Sequence, residues 1–148
     1  MSQTLISHIS SSSVGQTLTL CGWIQTIRSS GKLAFIELRD GSGYMQCVAE
    51  LSALGEEKFQ TLESLGIESS VSLTGVVSKH PKKDEYELQV SDYTIFWHAK
   101  DYPLGTKDDH GPEFLFDNRH LYLRSKSQVA IQKVRDTIIH ATYDWMRD

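Results

Sequence analysis

The side chains best suited to binding a ligand in this chain are Arg28, Phe35, Gln46 and Glu87. An exposed aromatic ring stacks on an unpaired nucleobase, while amide and carboxylate groups hydrogen-bond to the edge of the base. A guanidinium group contacts either phosphate or base. Brought together on one surface, these residue types favour recognition of single-stranded RNA.

Strand alternation predicts where these side chains point. In three runs of the sequence every second residue is apolar and is expected to face the core. The residues between them, among them Phe35, Gln46 and Glu87, then face outward and are expected to be exposed. Arg28 lies at the end of an earlier strand-like run. A plainer interpretation stays open, in which Phe35 packs beneath a loop and the polar residues are ordinary solvent-facing positions. The predicted inward residues are Ala34, Ile36, Leu38, Met45, Cys47, Tyr86, Leu88 and Val90.

Other kinds of chemistry find little support in the sequence. The histidines at 80, 98, 110 and 120 lack metal-ligand spacing, so no metal site is predicted. Phosphate-binding GxxxxGK and nucleophile GxSxG patterns are also missing, and we predict no catalytic residues. Cys21 and Cys47 lie in strand-like runs without CxxC spacing and are expected to be buried thiols.

Composition restricts the mode of any nucleic-acid contact. The chain has 148 residues, 39% of them hydrophobic and 23% charged, as in a folded globular protein. Its formal charge of −4 argues against binding through general attraction to phosphates, so contacts must be local and specific. Without an apolar run of the ~20 residues that span a bilayer, we expect a cytoplasmic protein with no membrane contact.

The elements that must position the candidate residues follow a simple order. Turn-forming residues at 29–32 and 40–43 separate three alternating runs, and a helical pattern then precedes two further strands. Antiparallel strands with one helix between the third and fourth predict a mainly β protein: a five-stranded OB-fold Greek-key barrel with one inserted helix. The predicted strands are 17–27, 33–39, 44–49, 71–77 and 86–96, with the helix at 53–65.

Beyond the barrel the sequence changes character. Proline, glycine, aspartate and histidine mark 100–124 as a linker after a first domain at 1–99. Apolar residues then recur at helical spacing, which predicts an amphipathic helix from Ser127 to about Met146 within a third segment, 125–148. Its stripe of Ile131, Val134, Ile138 and Trp145 has no local partner and predicts a further packing surface.

Several segments resemble one enzyme family. Leu20 to Ile24, Phe35 to Gly43 and Gln46 are similar to the anticodon-binding domain shared by aspartyl-, asparaginyl- and lysyl-tRNA synthetases. The segments Tyr102 to Gly105 and Arg119 to Arg124 resemble the asparaginyl form of this class II family. The resemblance covers nearly the whole chain after about Thr17.

This resemblance implies roles for the candidate residues. Phe35 matches a ring that stacks on the central uridine of the anticodon, and Gln46 matches an amide that binds a base edge. Glu87 corresponds to a carboxylate that reads the first anticodon base, a guanine, and Arg28 to a basic residue near the same loop. The implied partner is the anticodon loop of tRNA(Asn).

The resemblance also implies an enzyme larger than this chain. The parent would be an asparagine–tRNA ligase, a homodimer that uses ATP and Mg²⁺ to attach asparagine to its tRNA. The resemblance identifies 125–148 as the start of a truncated class II catalytic domain, its first helix. The later class II motifs, which bind ATP, are not among these residues, so the chain alone is expected to be inactive and to hold no cofactor. Two alternatives stay open: part of an aspartyl-tRNA synthetase, or a stand-alone OB-fold nucleic-acid-binding module.

Overall fold

The computed structural model describes residues 4–105 and 110–147. These residues form two compact units, divided between Pro103 and Leu104, and each unit is described by itself. The first unit contains two single turns of 3₁₀ helix, five strands and two short α-helices. In chain order they are the turns Ile6–His8 and Ser11–Ser13, then β1 Thr17–Ser30, β2 Leu33–Arg39, β3 Tyr44–Glu50, α1 Leu51–Leu54, α2 Glu56–Glu63, β4 Ser70–Lys79 and β5 Tyr86–Trp97.

The five strands close into the predicted OB-fold barrel, in the order β1-β2-β3-β5-β4 with β4 returning to β1. The prediction that all strands are antiparallel is wrong for one pair of neighbouring strands, because β3 and β5 run parallel. An odd number of strands in a closed ring cannot alternate direction throughout, so at least one neighbouring pair must be parallel. In this barrel that pair joins the strands that carry Gln46 and Glu87.

The barrel interior is filled by the apolar residues of the alternating runs. Leu20, Ile36, Leu38 and Leu88 are fully buried, as the strand pattern predicts. Burial raises the pKa of the Cys47 thiol, and the nearby charge of Glu87 raises it further. The remaining fully buried large side chains include Ile24, Leu62, Val71, Leu73 and Val77.

Two local predictions need correction. Cys21 is only partly buried, because it lies on the outer face of β1 while its neighbours Leu20 and Gly22 face inward. The single helix predicted for 53–65 is two helices, which break at Gly55 where φ is 78°. The second helix still packs its predicted apolar face on the barrel, and Phe59 is 4% exposed.

Asp40 ties the start of the chain to the turn between β2 and β3. Its Oδ2 accepts the backbone N–H of Ile6 at 2.7 Å, and its Oδ1 accepts those of Ser42 and Gly43 at 2.8 and 3.0 Å. Burial alone would raise the pKa of Asp40, but these hydrogen bonds and one from the Ser42 hydroxyl hold it below its ordinary value. The result is that Ile6 is buried in the core cluster, a contact that the strand pattern did not predict.

The second unit is helical. It contains α3 Pro112–Asp117, α4 Arg119–Tyr122 and α5 Lys126–Arg147, so short helices occupy part of the segment predicted as a linker. Positions 106–109 of that segment lie outside the described residues. Helix α5 agrees with the predicted helix to within a residue at each end. Within this unit its stripe is exposed at Ile131, Val134, Ile138 and Trp145.

None of the helices in the described part of the chain is long and apolar enough to cross a membrane.

Candidate nucleic-acid interface

A β-bulge determines the face on which Arg28 lies. Pairing between β1 and β2 matches Ile24 with Leu38 and then Thr26 with Glu37, so Gln25 is an extra residue. Unbroken alternation from the buried Ile24 would turn Arg28 into the core. The inserted residue reverses the alternation, and Arg28 instead pairs with Phe35 on the outer face.

Two rows of outward side chains cross the strands on this face. In the first row Arg28 pairs with Phe35, Phe35 with Val48, and Val48 with Gln89. Phe35 is half-buried between its neighbours and Arg28 is exposed. The second row runs through Thr26, Glu37, Gln46, Glu87 and Ser78. The face therefore joins all four candidate residues across four neighbouring strands.

Gln46 lies diagonal to Phe35 rather than directly opposite it. Phe35 pairs with Val48, and Gln46 is two residues before Val48 on the same face of β3. Diagonal neighbours on a sheet are about 7–8 Å apart, within the span of a long side chain and a nucleobase. A base stacked on the Phe35 ring would thus present its edge toward Gln46.

Glu87 is the centre of a hydrogen-bonded chain of side chains. Nε2 of Gln46 donates to its Oε2 at 3.1 Å, and Nε2 of Gln89 donates to its Oε1 at 2.8 Å. The Gln89 amide also donates to Oγ of Ser78 at 3.1 Å. Glu87 is only 7% exposed, so the prediction that it is solvent-exposed is wrong, although it does face outward.

The sequence pattern alone predicts no role for Gln89 or Ser78. The alternation of β5 does turn Gln89 outward beside Glu87, but nothing in a single strand shows which residue of another strand lies next to it. The parallel register of β3 and β5 supplies that information by placing Gln46 against Glu87.

A cleft of about 210 Å³ opens beside this face. The half-buried Gln46 side chain lines it and so remains accessible to a ligand. The other lining residues are Ile6, Ile9, Tyr44, Met45, Glu85 and Tyr86. Nucleobases bind where flat apolar groups and a few polar groups converge, and this lining has that composition.

Basic side chains follow in the loop between β4 and β5. Lys79 pairs with Asp84 at 3.0 Å and Lys83 with Glu85 at 3.6 Å, all four exposed. His80 shapes the loop, because its Nδ1 accepts the backbone N–H groups of Lys82 and Lys83 at 3.1 and 3.2 Å. The partial neutralisation of these lysines agrees with local contacts rather than general phosphate binding.

The barrel matches a known domain family. Residues 18–96 match the family described as the OB-fold nucleic acid binding domain, which is named for the tRNA anticodon. This chain belongs to that anticodon-binding OB-fold family. The match covers the five strands apart from the first residue of β1 and the last of β5, and it includes both rows of outward side chains.

Solved structures similar to this anticodon-binding OB-fold protein include asparaginyl-tRNA synthetases. The enzyme from Pyrococcus horikoshii complexed with asparaginyl-adenylate is 30% identical with a TM-score of 0.89, over 99% of this chain and 34% of that one. The Entamoeba histolytica enzyme in complex with asparaginyl-adenylate is 26% identical with a TM-score of 0.82, over 99% of this chain and 35% of that one.

An aspartyl relative shares the fold as well. A putative aspartyl-tRNA synthetase from Leishmania major Friedlin is 20% identical with a TM-score of 0.86, over 98% of this chain and 32% of that one. At that identity the likeness concerns the fold alone. The chain spans about a third of the length of these synthetases.

Proposed function

We propose that this chain recognises the anticodon of tRNA(Asn) as the anticodon-binding region of an asparagine–tRNA ligase. The observation that carries the proposal is the outward Phe35 ring, with Arg28 opposite it and Gln46 diagonal to it on one face of the barrel. The likeness to asparaginyl-tRNA synthetases at 30% and 26% identity supports the choice of amino acid.

Each residue has a separate part in this proposal. The Phe35 ring stacks on the central anticodon base, which supplies affinity without distinguishing one base from another. The Gln46 amide binds the edge of that base and supplies specificity. Arg28, exposed beside the ring, contacts the neighbouring phosphate. With a formal charge of −4 on the chain, few phosphate contacts are expected and the salt dependence should be shallow.

The chemistry of the ligase belongs, in this proposal, to the rest of a longer homodimeric protein that uses ATP and Mg²⁺. The later class II motifs, which the resemblance implies bind ATP, are not among these residues, so we assign this chain no step through ATP. Asparagine-dependent ATP–pyrophosphate exchange by the purified chain should stay at background. Exchange above background, with contaminating synthetase excluded, would contradict this assignment.

Binding to a panel of anticodon hairpins tests the proposal. We expect fluorescence titration to show that a hairpin with the loop triplet GUU binds at least about tenfold more tightly than one with GCU or AUU. Equal or tighter binding of GUC, the aspartate triplet, would favour an aspartyl enzyme. Similar affinity for all hairpins would indicate a general nucleic-acid-binding module and would contradict the proposal.

A further inference from the structure

We propose that Glu87 is a positioning residue that fixes the orientation of the Gln46 amide and so makes this face select uracil over cytosine. The inference rests on the proposed function. It assigns Glu87 an action through Gln46, in place of the direct contact with the first anticodon base that the resemblance implies.

The need for such a residue follows from the near symmetry of an amide. The NH₂ group and the carbonyl oxygen of a side-chain amide extend equally far from the backbone, and rotating the amide by half a turn exchanges their positions. Uracil offers an N3–H donor beside a carbonyl acceptor, whereas cytosine offers an N3 acceptor beside an amino donor. An amide free to rotate can therefore pair with either pyrimidine, and its presence alone gives no selection between them.

Contact with Glu87 removes this freedom. A carboxylate accepts hydrogen bonds and donates none, so only Nε2 of Gln46 can face it, as the 3.1 Å contact with Oε2 shows. The rotated amide would place its oxygen against the carboxylate oxygen with no proton between them. Because Glu87 is 7% exposed, there is little room for water to relieve that contact.

The carboxylate is itself held in place from its other side. Nε2 of Gln89 donates to Oε1 of Glu87 at 2.8 Å and to Oγ of Ser78 at 3.1 Å. Two amide hydrogens on the same nitrogen then have partners, so Gln89 has the orientation that its acceptors require. The chain Ser78–Gln89–Glu87–Gln46 thus runs from β4 through β5 to β3 and ends at the residue nearest the base.

The selection of uracil over cytosine follows from the position of the Gln46 amide oxygen. Gln46 lies diagonal to Phe35 and lines the open cleft, so the edge of a base stacked on that ring meets the amide. With Nε2 committed to Glu87, Oε1 accepts the N3–H of uracil while the second hydrogen on Nε2 remains for a carbonyl of the base. Cytosine would oppose its N3 lone pair to Oε1, and this pairing is lost.

The substitution Glu87→Gln tests the inference, because an amide at 87 can offer Gln46 either a donor or an acceptor. We expect the ratio of GUU to GCU hairpin affinities to fall about tenfold, while the ratio of GUU to AUU stays at the wild-type value. Glu63→Gln is the matched control: it removes the same charge from an exposed side chain on α2 that does not line the cleft. This control should leave both ratios unchanged.

A second variant keeps the carboxylate and loosens it. Gln89→Met removes the donor to Oε1 of Glu87, and we expect a loss of uracil selection of roughly threefold, smaller than that of Glu87→Gln. If Glu87→Gln does not fold at the assay temperature, Gln89→Met decides, and a wild-type ratio of GUU to GCU in that variant overturns the inference.

The remaining outcomes separate the inference from the function on which it rests. A folded Glu87→Gln protein that keeps its uracil selection, or loses selection at the first base instead, overturns the positioning role and favours direct reading of that base by Glu87. Wild-type protein that prefers none of the hairpins refutes the proposed function itself, before any variant is compared.

Discussion

Arg28 and Phe35 lie directly opposite each other on the outer face of β1 and β2 because Gln25 is an extra residue in β1, inserted as a bulge between Ile24 and Thr26. Oε1 of Gln25 is buried with no hydrogen-bond partner among the described residues, so its side chain contributes little while its backbone reverses the strand alternation. The effect of the extra backbone residue and the effect of the Gln25 side chain can therefore be tested separately.

Deleting Gln25 should turn Arg28 toward the core or force the strands out of register. We expect a destabilisation of about 2 kcal/mol or more, together with loss of hairpin binding. Gln25→Ala, which keeps the extra residue, should change stability by less than about 1 kcal/mol and leave binding intact. Thermal melts and GUU titrations of both variants would show this difference. Equal effects of deletion and substitution would contradict the role of the bulge.

Phe35→Ala should weaken binding of the GUU hairpin by about 1–3 kcal/mol, the cost of losing one base-stacking ring. Its melting temperature should fall only slightly, because the ring lies on the outer face. Phe59→Ala is the comparison, since Phe59 is 4% exposed and its removal should cost roughly 3–5 kcal/mol of folding stability. Unchanged RNA affinity in folded Phe35→Ala would refute the stacking role.

Asp40 should contribute to stability in a pH-dependent way. Its pKa is lowered in the folded protein, so its contribution is present above the unfolded pKa of about 3.9 and is lost as pH falls through the folded value. Asp40→Asn should therefore lower stability at pH 7 by about 1–2 kcal/mol, and the difference from wild type should shrink at pH 3. Melts at both pH values measure this. The exposed Asp84→Asn should show little change, and a pH-independent defect in Asp40→Asn would contradict the mechanism.

Helix α5 should either associate or fray when the chain is studied alone. Its apolar stripe is exposed within its own unit, with Ile138 at 61%, and isolated helices gain most of their stability from packing. We expect concentration-dependent sedimentation that Ile138→Glu reduces and that Thr137→Glu, one position away on the helix, does not. A strict monomer with strong amide-exchange protection along α5 would exclude both outcomes.

Alternation within single strands predicts the outward direction of Phe35 and Gln46, and the order of the strands, turns and one helix predicts the barrel. Alternation counts residues along one chain segment and depends only on burial of every second side chain. The direction of Arg28 has a different origin, because a bulge changes the count without a distinctive residue type at Gln25.

The contacts of Glu87 could not be predicted from the sequence pattern, for another reason. Its Oε2 accepts a hydrogen bond from Gln46, which is 41 positions away in the chain, and that contact depends on the parallel register of β3 and β5. Register between distant strands depends on how the whole barrel packs, so no local pattern encodes it.

The parallel pairing of β3 with β5 also affects the order of events during synthesis. A growing chain carries the Phe35 ring and the Gln46 amide well before Glu87 leaves the ribosome, and the contact between Gln46 and Glu87 must await closure of a long loop. An incompletely folded chain would thus have the means to stack on RNA but not to choose among bases. Selection among bases requires the pairing of β3 with β5, so base discrimination can serve as a measure of complete folding.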